Sequence, residues 1–471
     1  MLSFTRWFAV LFFSASITCL ILYSKTSEKS FLTDNIDYSI PPDKITVDDF
    51  LQLVITKDKK QFKKLLDKID GNWKEGYEIL LLETIYFSNS SEHRAAITSL
   101  FSKKTGQPLD INYDSWFQYI WNKEATYPTD YFKFKAKLHE SIDSKFYTYF
   151  YDRQDESNIR LDEVRWGGVL QDGIPPLRNP EMITAADANY LKDDNVVFGI
   201  KVNGDARAYP KRILAWHEMF VDTVGDVPVA GVYCTLCGTV ILYKTEQEGV
   251  NYQLGTSGFL YRSNKLMYDK STQSLWSTLE GEPVIGPLVG KGIQLEYLSV
   301  VTTTWGEWKK RHPETSVLSL NTGHRRDYGE GVAYQNYFST DDLMFTIPKI
   351  DSSLKNKDEI LSIRLPKVSP DNIAISSKFL QKNPVYNSKI AEIPFTVFTD
   401  KSGAHRVYFT KDLKFNTYDR DNIVYDSTGK KWKLQEERMI SENGKELRRF
   451  PSHNAFWFGY KAAFPKTKLI H

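Results

Sequence analysis

One pattern occurs twice in this chain. Trp305 and Trp308 precede Pro313, Thr315 and Leu318, and Trp457 and Tyr460 precede Pro465, Thr467 and Ile470 at the same spacing. Upstream, Tyr268-Asp269 leads into Thr272 and Trp276, and Tyr425-Asp426 leads into Thr428 and Trp432. Pro228 and Pro394 each open a β run. An aromatic at a fixed offset from a Pro-x-Thr turn fills one shaped slot, so the repeat predicts a duplicated module. The first β-rich repeat covers 159–323 and the second 324–471. Aligning Pro228 with Pro394 sets Cys234 opposite Asp400 and Cys237 opposite Gly403, so only the first repeat keeps thiols.

Strand patterns support the β assignment. Val196 to Val202 alternates towards Asn203-Gly204, a two-residue hairpin signal, and Val229–Tyr233 and Thr239–Tyr243 read as further strands. The 27 Tyr, 28 Phe and 11 Trp residues suit such structure. Residues 46–158 differ. Thr46 with Asp49 reads as a helix cap, and Phe62, Leu65, Leu66 and Ile69 form one apolar stripe. Tyr77, Leu80, Leu81 and Ile85 form a second stripe, and Ile97, Leu100 and Phe101 a third, with breaks at Gly71-Asn72 and Ser88-Asn89-Ser90. The expected fold class is α+β: an N-terminal membrane anchor and small helical domain, then a β-rich, internally duplicated domain. The helical domain is expected to pack and to dock a protein partner, with His93 and His139 on its solvated surface.

Trp7 to Tyr23 carries no charge, with Arg6 before it and Lys25 after. Its bulky end, Leu20-Ile21-Leu22-Tyr23, lacks the small residues of a cleavage site, so it reads as a retained anchor over 1–26, with Cys19 inside the apolar run. A polar linker with Pro41-Pro42 follows over 27–45. The expected location is the plasma (inner) membrane, with the bulk of the chain extracytoplasmic. The 61 basic residues against 59 acidic leave no positive field for nucleic acid. Three cysteines exclude a disulfide-rich scaffold.

Several segments resemble the bacterial family known as "domain of unknown function 3179". They include Tyr233-Cys234-Thr235-Leu236-Cys237-Gly238-Thr239, Ala206-Arg207-Ala208-Tyr209-Pro210, Trp216-His217-Glu218, Ser257 to Asn264, Met267-Tyr268-Asp269, Thr303 to Trp308 and Phe456-Trp457-Phe458-Gly459. The likeness covers about 160–471. It implies an extracytoplasmic location and no assigned activity.

The Cys-x-x-Cys has three open uses: a metal site, a redox disulfide, or a reactive thiol with a supporting partner. Strands on both sides place it in a hairpin turn, without the helix dipole that lowers a thiol pKa. Gly238 allows the positive φ that such a turn needs. No second soluble pair exists, so a metal would recruit His217 and a thioether, Met219 or Met267. Thiolate, imidazole and thioether suit copper; thiolate with imidazole suits zinc. The metal candidates are therefore Cys234, Cys237, His217 and Met267. A cysteine-nucleophile enzyme with His217 as base is the alternative, and a non-catalytic binding module a third. Arg207 is a candidate anion clamp or a partner for an acid. Tyr261, Ser263 and Asn264 are candidate pocket residues, and Glu218 and Asp222 possible bases. His324, Asp327 and Tyr328 read as an exposed connector between the repeats. No phosphate loop, Gly-x-Ser-x-Gly or His-Glu-x-x-His occurs.

Overall fold

The computed structural model describes residues 44–109 and 113–471. The expected anchor, and the linker as far as residue 43, lie outside them. Among the described residues no helix is long and apolar enough to cross a membrane.

The fold is α+β, with helices first and a β-rich region after them. Thr46 caps helix Val47–Ile55: its backbone N–H donates to Asp49 Oδ2 at 2.8 Å, and the first turn stays satisfied. Helices Lys59–Gly71, Tyr77–Phe87 and Ser91–Thr105 follow, separated at the breaks read from the sequence. Tyr77–Phe87 is central: Ile79 and Leu82 are buried as fully as Leu80, Leu81 and Ile85. Of its two buried carboxylates, Glu78 accepts from Gly76 N–H at 2.9 Å, and Glu83 meets Lys135 at 2.5 Å and accepts from the Tyr131 hydroxyl. The two histidines expected at the surface are buried. His93 stacks on Phe62 with centroids 3.7 Å apart, and His139 lies among Phe87, Phe150 and Phe259. Each serves as a flat core ring. The helical core is continuous with the sheet beside it, since Phe259, Leu266, Tyr268, Leu275, Val284 and Ile285 belong to the same apolar cluster.

The β-rich region contains two sets of strands with the same pairing. In the first, Val196–Val202 lies antiparallel to Val301–Thr304 and to Asp205–Pro210, and Asp205–Pro210 runs parallel to Ser316–Leu318. In the second, Glu359–Arg364 lies antiparallel to Ser452–Phe456 and to Asn372–Ser376, and Asn372–Ser376 runs parallel to Lys468–Ile470. Helices occupy matching places: Lys211–His217 with Ser377–Lys382, and Trp305–Arg311 with Trp457–Ala463. The hairpin Val227–Cys234 and Thr239–Lys244 matches Ile393–Thr399 and His405–Phe409. Thr245 N–H donates to Pro228 O in one, and Thr410 N–H to Pro394 O in the other.

The aromatic slots agree in detail. Trp276 Nε1 donates to Asp269 Oδ2 at 3.4 Å and Trp432 Nε1 to Asp426 Oδ2 at 3.0 Å, and Thr272 and Thr428 bond those same carboxylates. Trp308 and Tyr460 sit at equal offsets in their helices over paired positions, Gly199 and Ser362. A Cβ on Gly199 would lie 2.2 Å from the Trp308 ring, whereas the smaller Tyr460 leaves room for Ser362, whose Oγ donates to its hydroxyl at 2.9 Å. Volume lost from one partner is supplied by the other, as close packing requires.

Candidate anion-binding cleft beside His217

Strand Asp205–Pro210 ends at a proline and helix Lys211–His217 begins there. Glu218 stops the helix in a left-handed conformation, φ 55°, with its N–H on Leu214 O at 2.7 Å. Three consecutive side chains at this stop hold the connector between the repeats. Trp216 Nε1 donates to Asp327 O at 2.7 Å. His217 Nε2 lies 2.6 Å from the Tyr328 hydroxyl. Glu218 Oε1 accepts from Thr235 at 2.6 Å and from the Tyr334 hydroxyl at 3.2 Å, and its Oε2 accepts from Lys265 at 2.7 Å.

The other His217 nitrogen, Nδ1, lies 2.9 Å from Pro175 O. A carbonyl only accepts, so Nδ1 carries the proton and Nε2 receives the Tyr328 hydroxyl. Burial, then the nearby His324 and Arg326, lowers the His217 pKa to about 4, and the ring is neutral. Tyr328 is raised by burial, and its oxygen accepts in turn from Thr322 at 2.6 Å. A hydroxyl chain thus runs Thr322–Tyr328–His217–Pro175.

Tyr328 forms one wall of a cleft of about 760 Å³, which Tyr190 and Leu320 also line. Arg212, His324, Arg325 and Arg326 supply its polar surface. Arg212 donates to Tyr190 O at 2.7 Å and stands 3.4 Å from Glu330. Asp327 is occupied by the Gly329 N–H at 2.8 Å. Arg326 donates to Arg325 O at 2.9 Å, and neither guanidinium has an ion-pair partner among the described residues. The surface is therefore cationic and is equipped to receive carboxylate or phosphate oxygens.

On the far side of Glu218, Cys234 and Cys237 are joined as a disulfide, 2% and 1% exposed. The turn is held on two sides: the Tyr337 hydroxyl donates to Leu236 O at 2.6 Å, and Phe456 N–H to Cys237 O at 2.8 Å. Gly238 takes φ 56° as the hairpin demands, with the Phe456 ring 2.7 Å from where a Cβ would stand. At Gly459 a Cβ would lie 2.8 Å from that of Cys237.

The expected copper or zinc ligands do not come together. The sulfurs of Cys234 and Cys237 are bonded to each other, and both His217 nitrogens are committed. Met267 lies in an apolar cluster with Met219 and Trp276. Among the described residues no three His, Cys, Asp or Glu side chains form a group that could hold a metal ion. With the thiols joined as a disulfide, these residues do not form a donor set for either metal. The pairing of a cysteine nucleophile with a His217 base is likewise not assembled, since Glu218, not His217, reaches the thiol turn.

Of the other candidates, Arg207 pairs with Asp205 and Asp222 at 2.8 Å each, and Tyr209 donates to the same Asp222 oxygen. Tyr261 lies under the Arg262 guanidinium, 5.1 Å away, and Arg262 pairs with Glu163. Ser263 donates to Phe345 O at 3.0 Å and Asn264 Nδ2 to Gly459 O at 2.9 Å, so this hairpin turn ties the first repeat to the connector and to the second repeat. His324 and Asp327 are exposed as a connector should be, yet they line the cleft. Sequence reasoning missed Arg212, Arg325, Arg326 and Lys265. The Arg325-Arg326 dipeptide in that connector was the available signal.

The family described as "Protein of unknown function (DUF3179)" matches residues 171–467, more than half of the chain. No curated protein and no solved structure matches.

Proposed function

Because the chain belongs to the DUF3179 family, which brings no activity with it, we propose its function from the cleft: it binds a small anionic molecule at Arg212, His324, Arg325 and Arg326, beside the Tyr328–His217 pair. The observation that carries this reading is the adjacent Arg325 and Arg326 in a formed cleft, neither of them in an ion pair among the described residues. Each guanidinium presents a planar fork of donors, and two forks match the oxygens of one anion. Tyr328 is a positioning residue: its hydroxyl donates to the neutral His217 imidazole, which fixes the tyrosine ring as one wall of the cleft. The disulfide serves as a staple that keeps Thr235 under Glu218. The reading includes the N-terminal anchor, with the cleft on the extracytoplasmic side of the plasma membrane.

Isothermal titration of the full-length chain with inorganic phosphate and with citrate tests it. Saturable binding that Arg325→Ala/Arg326→Ala weakens at least tenfold supports the proposal, and an equal response from the variant removes it. These positions are exposed, so the substitutions leave the fold intact.

A further inference from the structure

Beside its cationic side chains the cleft carries exposed apolar ones. Leu320, a lining residue, is 42% exposed, and Val332 is 43% exposed. Val332 stands beside the cleft: its Cγ2 would lie 2.8 Å from a Cβ on Gly329, another lining residue, and its N–H donates to Gly329 O. Other aliphatic side chains are as exposed among the described residues, Leu109, Val250, Ile350 and Val368 among them, but Leu320 and Val332 stand beside a cleft with two arginines that lack ion-pair partners there. The described residues leave both side chains about two-fifths exposed. A ligand with only an anionic group would leave them in water, whereas an aliphatic chain attached to that group would cover both.

From this juxtaposition we infer that the ligand is an anionic amphiphile: a lipid whose phosphate head lies between Arg325 and Arg326 and whose first acyl carbons lie over Leu320 and Val332. The inference rests on the anion reading of the cleft and adds the tail to it. The charges are complementary, because a phosphomonoester head carries one to two negative charges and the cleft lining sets three guanidiniums against one carboxylate, Asp327; among the described residues only Arg212 of the three has an ion-pair partner, Glu330. Tyr190 and Tyr328 line the same cleft and add aromatic surface to it.

The test uses the full-length chain held in a non-ionic amphipol, titrated with dihexanoyl phosphatidic acid below its micelle concentration. Glycerol phosphate and dihexanoyl phosphatidylcholine are the comparison ligands. The expected result is that dihexanoyl phosphatidic acid binds about tenfold more tightly than glycerol phosphate, the increment that covering two half-exposed aliphatic side chains supplies. Leu320→Ser/Val332→Ser should erase that difference without weakening glycerol phosphate, and Arg325→Ala/Arg326→Ala should weaken both. Equal affinity for the lipid and for glycerol phosphate overturns the lipid inference and leaves the anion reading standing. Phosphatidylcholine binding as tightly as phosphatidic acid overturns it too, because the apolar side chains would then act without the arginines. No binding of any of the three defeats both readings.

Discussion

Lys265 and Glu218 form an ion pair of 2.7 Å with both side chains less than a tenth exposed, between the cleft helix and the disulfide turn. Lys265→Met removes the cation and leaves the Glu218 carboxylate buried. Breaking such a pair costs about 3–5 kcal/mol when one charge stays behind. Thr235 and Tyr334 still donate to Oε1, so the lower end, about 3 kcal/mol, is expected. Glu218→Gln strands Lys265 instead and should cost a similar amount. In the double variant both charges are gone and the Gln oxygen keeps its two donors. Its cost should then fall well below the sum of the singles, with a coupling of at least about 2 kcal/mol. Hydrogen exchange in strand Val227–Cys234 reads this locally, because Tyr233 N–H bonds to Glu218 O. Each single variant should speed exchange about a hundredfold, and the double variant much less. Additive effects, or singles below about 1 kcal/mol, would show that the pair does not hold this region together.

Three further outcomes follow from the packing. Burial lowers the pKa of His139 and His453 to about 3 and of His405 to about 4, so the unfolded chain binds more protons than the folded one below the ordinary histidine value. Stability should therefore fall as the pH drops from about 6.5 towards 4, and His453→Phe should recover about 3 kcal/mol of that loss in urea titrations across the range, since neither His453 nitrogen has a hydrogen-bond partner among the described residues. Gly459→Ala should cost about 1–3 kcal/mol, read by the urea midpoint, because its Cβ would lie 2.8 Å from that of Cys237. Cys234→Ala/Cys237→Ala opens a very short loop and should cost only about 2 kcal/mol by the same measurement, while phosphate affinity stays unchanged.

Local signals carried much of the fold. The Asn203-Gly204 turn joins two strands, with φ values of 48° and 88°, because that hairpin twist demands them. Thr46 and Asp49 cap a helix because the four residues involved contain the whole interaction. The site was less legible, since its parts meet only through the connector. His217 was singled out for its thiol neighbours, yet its partners are Pro175, 42 residues before it, and Tyr328, 111 residues after it. Periodicity cannot show such pairings. His93 and His139 were misread for the opposite reason: an isolated histidine looks polar in sequence, while Phe62 and Phe259 supply the aromatic surroundings that make it core. The unpaired Arg325 and Arg326 were also invisible, because a charge shows as unpartnered only once its surroundings are known.

The enclosure of the disulfide has a consequence for the order of events during synthesis. The residues that close over Cys237, Phe456 and Gly459, lie more than 200 residues after it in sequence and leave the ribosome much later. Until they arrive, one side of the turn is open to whatever oxidant the compartment provides. Once the final helix docks, that side is shut. Bond formation thus has a window that ends when helix Trp457–Ala463 docks, and a nascent protein truncated before Phe456 would keep that side of the turn within reach of solvent reagents.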